Sequence, residues 1–478
     1  MSNNDFSNLN KENNELIISY AFSPTNTTTS NVMAKRILKN KENVDVICSS
    51  LDNLPKDYEI DNLLNEFILN KIIVDLPFSV DWSNIKLFIE KGMENLNNKK
   101  YEKIYSRCYF QHSHFLGFEY KIANKDTFWS AEFSDPTIYN IKGDENTAPI
   151  NDKEYIGRIN SYLGDDLPKI TINDSLNFIC EYLTYVFADE IIFTNENQKE
   201  VMLNLFPHKE IRDIVSKKAK ISPHPTLDEK YYYIKENNYE IDKKYVNFAY
   251  FGAIYGNRTL EDFINAFDNI DPIFTDKFRL HIFTDNITMF EQLLSENTFK
   301  KTRLNSSIPY LDFLNLSTEF DCLIVNDSLT KGIYNKNPYL PSKISDYIGS
   351  ETDIWGICEE NSIMYNMNIK YKSLINDMIS NQNILTNILL EKTGLNVKDL
   401  KNINELDILN RNTKYLQGRI MELSVKINEL IQVAENEFEK NDENSNYINK
   451  LKKENNNIKN SNVYKYSEKF KKIGKKFK

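Results

Sequence analysis

The chain has little cysteine. Five residues in 478, Cys48, Cys108, Cys180, Cys322 and Cys358, are odd in number, widely spaced and free of any CxxC pair. That pattern excludes a disulfide framework and a cysteine-based structural zinc site, and it fits a reducing compartment. Long apolar runs are also missing. No stretch approaches the roughly 18 uncharged apolar residues of a spanning helix. Met1 to Asn14 is polar, holds both charge signs and lacks an apolar h-region, so no signal peptide is expected and the cytoplasm is the expected location. Positive charge is not in surplus either: the net charge is -10. An acidic chain is a poor partner for nucleic acid, whose binding depends on phosphate neutralisation.

Apolar residues are plentiful, at 41% of the chain with 12% aromatic, enough for two or three buried cores. Short apolar runs alternate with helical patterns from about residue 15 to 370. Strands are expected at 16–22, 44–48, 71–74, 103–108, 128–133 and 190–194, and Ser30 is a candidate cap for a helix through Val32, Met33, Ile37 and Leu38. The stretch 221–245, with Pro223, Pro225 and many tyrosines, breaks the rhythm and reads as a linker. Strands then resume at 246–251, 278–284, 321–326 and 354–358, with helices at 259–267 and 341–349. Buried strands alternating with helices imply parallel β-α units. The expectation is an α/β chain of two Rossmann-like domains facing a cleft, over 15–225 and 246–375.

From 376 to 478 the pattern is helix and polar spacer. Leu409, Leu416, Leu423 and Leu430 recur every seventh residue, with Thr413, Ile420, Ile427 and Ala434 between them. This heptad, over about 405–437, is expected to form a coiled coil and a homodimer. A helical hairpin packed on the body is the other reading. The last segment, 451–478, carries ten lysines against Glu454 and Glu468, with Tyr464, Tyr466, Phe470, Ile473 and Phe477 interspersed. It suits peripheral contact with an anionic membrane or a solvated tail.

Four segments carry candidate chemistry. In Tyr250 to Leu260 a strand ends at Gly252 and a tight loop holds Gly256 and Arg258, a glycine and a forked cation suited to phosphate. In Asn337 to Tyr347 a loop leads into a helix start at Pro341 and Ser342, with Lys343 beside it and Asp346 one turn in. His112-Ser113-His114 follows a strand, with His114 a candidate catalytic or sugar-binding residue and no ligand set for a metal nearby. Trp129 to Pro136 ends in an acidic turn, making Asp135 a candidate cleft residue. Thr25, in the turn after the first strand, is another.

Five pieces of the chain stand in order: AEFSDP (131–136), ADEIIFTNENQKEVML (188–203), ISPHP (221–225), YFGAIYGNRTLEDFINAF (250–267) and NPYLPSKISDYI (337–348). Together they resemble glycosyltransferase family 4 and its relatives in bacterial surface-polysaccharide synthesis. The resemblance covers about residues 15–370. It implies the two-Rossmann GT-B fold, a nucleotide-sugar donor, a glycan or lipid-linked acceptor, retention of anomeric configuration, and neither cofactor nor required metal. By position it places Arg258, Ser342 and Lys343 at the donor diphosphate beside Gly252, Asp346 at the ribose, and His114 toward the transferred sugar. Three features depart from the family: Ala253 stands where an arginine is common, the pair of glutamates seven apart is missing, and the loop 24–30 lacks glycine. No Asp-x-Asp occurs, which argues against the metal-dependent GT-A class. A catalytically weak scaffold subunit and a sugar-nucleotide epimerase are the competing readings.

Overall fold

The structure is a computed structural model that describes residues 14–97, 99–252 and 260–396, with isolated positions 424, 427 and 453 beyond them. The loop carrying Arg258, the basic tail and, those isolated positions apart, the heptad segment lie outside the described residues.

The first unit is built on seven strands: β1 (Glu15–Ile18), β2 (Val44–Ser49), β3 (Ile68–Val74), β4 (Lys103–Cys108), β5 (Phe128–Phe133), β6 (Glu190–Phe193) and β7 (Ala219–Ile221). Its order is β3-β2-β1-β4-β5-β6-β7, with every pairing parallel. The second has six: β8 (Val246–Phe251), β9 (Phe278–Phe283), β10 (Thr302–Asn305), β11 (Cys322–Asn326), β12 (Ile354–Cys358) and β13 (Tyr371–Leu374), in the order β10-β9-β8-β11-β12-β13, again all parallel. In each sheet the order reverses beside the first strand. The crevice that receives ligands in such folds therefore lies at the carboxyl ends of β1 and β4, and of β8 and β11.

Eight helices connect the first sheet: α1 (Thr28–Asn40), α2 (Tyr58–Leu64), α3 (Trp82–Leu96), α4 (His112–Ala123), α5 (Lys153–Tyr162), α6 (Leu176–Phe187), α7 (Glu196–Leu205) and α8 (Lys209–Lys218). Seven belong with the second: α9 (Glu261–Asp268), α10 (Ile287–Leu293), α11 (Glu296–Phe299), α12 (Tyr310–Ser317), α13 (Lys343–Gly349), α14 (Ile363–Asn366) and α15 (Met378–Thr393). Helix α15 falls in the segment assigned from sequence to the extension. It packs into the second unit: Leu385, Ile388 and Leu389 are buried with Phe263, Phe267 and Trp355, and Asn381 Nδ2 donates to Asp262 Oδ1. Gly394 ends it in the left-handed region, its N–H reaching Leu390 O at 3.0 Å.

Two local expectations are corrected. Thr27, not Ser30, caps α1. Thr27 holds the extended backbone a cap needs and its Oγ1 accepts from Ser30 N, so Ser30 is already inside the first turn. Strand β1 stops at Ile18 rather than continuing to residue 22. At Tyr20 the chain has left the sheet, and its N–H is taken by Ser113 Oγ of α4.

Three apolar cores follow from side-chain alternation. One face of the first sheet, with Ile104, Cys108, Trp129, Ala131 and Phe133, packs on α3, α4 and α6. One face of the second, with Phe248, Tyr250 and Ile324, packs on α9 and α15. The third core joins the units. Met33, Ala34, Ile37 and Leu38 of α1 meet Tyr231 and Tyr232 of the connection, Phe313 and Leu314 of α12, and Ile344 and Tyr347 of α13. No helix among the described residues is long and apolar enough to cross a membrane.

Candidate functional site

The alternation that buries one face of β4 and β5 turns Tyr105, Arg107 and Glu132 to the other. Arg107 and Glu132 are register partners in the parallel pair. Glu132 Oε1 accepts from Arg107 Nε at 3.1 Å and from Arg36 Nη2 of α1 at 3.0 Å, while Oε2 accepts from Arg36 Nε at 2.6 Å and from the Tyr105 hydroxyl. Arg107 also donates to Thr29 Oγ1 and, at 2.9 Å, to Ser134 Oγ, and Arg36 reaches Ser222 Oγ and Ser222 O at 2.9 Å each. Burial raises the Glu132 carboxyl pKa, but the two guanidiniums outweigh it and hold the group down at about 2. One buried carboxylate thus ties α1, β4, β5 and the segment at Ser222 together. His224, two residues on, has its Nδ1 enclosed without a partner. Its basicity is held well below the usual imidazole range by burial and then by the charges of Arg107 and Lys35.

A second ionic centre crosses between the units. Lys35 Nζ of α1 lies 2.8 Å from Asp346 Oδ1 of α13 and 2.8 Å from Ser345 Oγ, with side-chain exposures of 1% and 5% for the charged pair. The Tyr310 hydroxyl donates to the same Asp346 oxygen at 2.7 Å, and Tyr232 Oη donates to Asp346 O at 2.7 Å. Desolvation lowers the Lys35 pKa, and the Asp346 charge opposes it.

The residues expected from sequence fall into three groups. Gly252 and Lys343 are brought together: a Cβ built on Gly252 would stand 3.5 Å from Lys343 Nζ and 3.3 Å from Tyr250 Oη. Ser342 precedes α13 and makes no side-chain cap. The regular helix starts at Lys343, not Pro341, and Ser342 O accepts from Ser345 Oγ at 2.8 Å. Asp346 and His114 are placed differently from expectation. Asp346 has its Oδ1 engaged by Lys35 and Tyr310 inside the joint between the units. His114 is 1% exposed: Nδ1 shares a 2.8 Å hydrogen bond with Ser106 Oγ, the rings of Phe133 and Trp129 meet it edge-on, and burial lowers its pKa to about 3. In this structure it is a neutral core imidazole rather than a group presented to the cleft. Asp135 lies just past the end of β5, and Thr25 lies in the loop between β1 and α1. Lys56 Nζ donates to Thr25 Oγ1 at 3.1 Å, and Ser134 Oγ donates to Asp135 Oδ2 at 3.2 Å. Arg258 lies outside the described residues.

Sequence reading missed Lys35, Arg36, Arg107 and Glu132. For Arg107 and Glu132 the available signal was a charge at an alternate position of an otherwise buried strand, where unpaired charges are rarely tolerated; Lys35 and Arg36, on α1, carried no such signal. Glu132 and His224 stood inside quoted segments without being singled out. Among the described residues no group of three or more His, Cys, Asp or Glu side chains could hold a metal ion.

No protein-family profile and no curated protein matches the sequence. Solved structures do match in shape. The N-terminal domain of Candida albicans trehalose-6-phosphate phosphatase aligns over 80% of this chain and 91% of its own, at 10% identity and a TM-score of 0.51. A UDP-N-acetylglucosamine 2-epimerase aligns over 80% and 88%, at 9% identity and 0.46. The lipopolysaccharide outer core galactosyltransferase WaaB in apo form aligns over 83% and 98%, at 10% identity and 0.45. At such identities the likeness concerns the fold, and it rests on the first of the three. That fold is the two-Rossmann GT-B architecture expected from sequence.

Proposed function

We propose that this chain is a GT-B glycosyltransferase of the family 4 type, moving a sugar from a nucleotide-diphosphate donor to a glycan or lipid-linked acceptor. The observation that carries the reading is the Lys343 ammonium beside Gly252, at the carboxyl end of β8, where an open α/β sheet receives its ligand. A cation there stabilises the negative charge that develops on a leaving diphosphate. Arg258, by its place in the sequence motif, is assigned the same task. The transition state is oxocarbenium-like, and a closed cleft excludes water that would hydrolyse the donor. Retention, independence of metal and cofactor, homodimerisation through the heptad, peripheral membrane contact through the tail and a cytoplasmic location belong to the same proposal, and they rest on the sequence. So does the division into domains over 15–225 and 246–375 with an extension over 376–478, although α15 sits with the second unit.

The test is thermal stabilisation by a panel of nucleoside diphosphates and nucleotide sugars, with Lys343→Ala and Arg258→Ala alongside. Ligand that binds the folded state raises the melting temperature, by an amount equivalent to about 2.7 kcal/mol at a hundred times Kd. A shift with one nucleotide, lost in Lys343→Ala, supports the donor site. No shift at millimolar ligand overturns it. The scaffold reading is then favoured, because Asp346 is already engaged by Lys35 and His114 is enclosed in the core.

A further inference from the structure

The two units meet at two unlike places. Where α1 meets the second unit the contact is largely apolar. The apolar core of α1, Tyr231, Tyr232, α12 and α13 surrounds the Lys35–Asp346 pair, and Tyr310 N donates to Asp57 Oδ2 at 2.8 Å close by. Beside β5 and β6 the contact is polar and made mainly by one loop of the second unit, residues 328–340 between β11 and α13, with Asn361 O, after β12, a further acceptor for Asn197 Nδ2 at 3.5 Å. Asn195 Nδ2 donates to Pro338 O at 3.0 Å, Asn197 Nδ2 to Asn337 O at 3.1 Å and Tyr334 Oη to Asn140 O, while Lys336 pairs with Glu200 at 2.6 Å on the surface. The first contact is made by α1, which follows β1, and the second by residues that follow β5 and β6.

The loop is also held from its own side. Glu359, just past β12, is buried and accepts from Thr330 N at 2.8 Å, Thr330 Oγ1 at 2.9 Å and Asn337 Nδ2 at 3.0 Å. Its base is therefore fixed to the second unit through a carboxylate with three donors. Its outer contacts with the first unit are two side-chain amide–carbonyl bonds, one tyrosine hydroxyl–carbonyl bond and one exposed ion pair.

We propose that the α1–α13 face is a permanent joint and that the 328–340 loop is a releasable latch, so the cleft opens at the β5–β6 side while Lys35 and Asp346 stay paired. The energetic asymmetry is physical. Separating the joint would expose a continuous apolar core and strand two buried charges, which is strongly unfavourable. Separating the latch exchanges hydrogen bonds to protein for hydrogen bonds to water, at small net cost. The loop travels with the second unit because Glu359 holds its base.

The experiment is amide hydrogen exchange on the full chain without ligand, in the parent and in Asn195→Asp/Asn197→Asp. Asn195 also caps α7 through its Oδ1, which accepts from Gln198 N, and aspartate keeps that acceptor while removing both donors to the loop. The expected result is that amides of 334–337 exchange faster than those of α1 and α13 in the parent. In the variant they exchange about tenfold faster still, with α1 and α13 unchanged. If the α1 and α13 amides accelerate together with the loop, the interface opens as one body and the proposal fails. It also fails if the loop in the parent is as protected as the joint. A variant that fails to fold leaves the comparison within the parent to decide.

Discussion

The two sheets solve the burial problem differently. The second sends apolar side chains to both faces, and its buried polar pair is uncharged: Phe248 and Tyr250 of β8 enter one core, Ala249 and Phe251 enter another, and Asn247 meets His281 at 3.1 Å. The first is apolar toward α3, α4 and α6, but the other face of β4 and β5 carries Tyr105, Arg107 and Glu132. An apolar face can be covered by any helix of suitable shape, whereas an ionic face accepts only groups that satisfy every charge. The first sheet therefore fixes its surroundings more specifically: α1 must bring Arg36 and the connection must bring Ser222. The ionic face marks the place where this chain departs from a generic doubly wound core.

The contrast can be broken most directly at Glu132. Glu132→Gln leaves Arg36 and Arg107 buried without their counter-ion and is expected to cost about 3–5 kcal/mol in a denaturant melt. In the second sheet Ile324→Val, at a fully buried position, should cost only about 0.5–1.5 kcal/mol. Equal losses would mean that the ionic face is no more demanding than the apolar one. A cavity in the second core is expected to rank between these: Leu385→Ala in α15 should cost about 3 kcal/mol and would establish that this helix belongs to the second unit's core. If the loss stays below about 1 kcal/mol, α15 is an appendage.

Acidification sharpens the comparison next. Burial lowers the pKa of His112 and His114 in the first unit to about 3 and of His281 in the second to about 4. The unfolded chain takes up protons near pH 6.5 that these folded imidazoles refuse. Their stability contribution is thus full above pH 6.5 and is lost as the pH falls toward the folded values. Between pH 6.5 and 5 each imidazole costs about 2 kcal/mol. His114→Phe should therefore lose about 2 kcal/mol less than the parent over that interval in paired denaturant melts. A parallel decline would show that His114 titrates normally. The smallest effect is expected on the surface: Lys300→Ala removes an exposed i,i+4 pair with Glu296 and should change stability by less than about 0.5 kcal/mol.

Much of the architecture was readable in the sequence because hydrophobic periodicity is local. Runs such as Val44 to Cys48 and Val246 to Phe251 are buried along their length and appear as strands with nearly the expected limits. The short strands β7, β10 and β13 escaped notice. Their three or four residues are only partly buried and carry lysine or arginine, so composition offers no contrast with a loop. The site was less legible. Gly252 and Lys343, 91 residues apart, were each chosen from a local motif, and only the β8–β11 pairing sets them side by side.

Composition and period alone determined that this chain forms two parallel α/β units with a linker between them, because a strand buried on both faces must be apolar whatever surrounds it. They also exposed the candidate phosphate motifs, whose glycine and cation stand close in sequence. The tertiary structure alone decided the partners of the charges. Asp346 reads as a ligand-binding carboxylate one turn into a helix, yet Lys35, 311 positions away, occupies its oxygen, and His114 reads as a catalytic histidine yet sits among Ser106, Trp129 and Phe133. A buried charge needs an opposite charge at contact distance, and contact distance between remote segments is set by packing rather than by any local pattern.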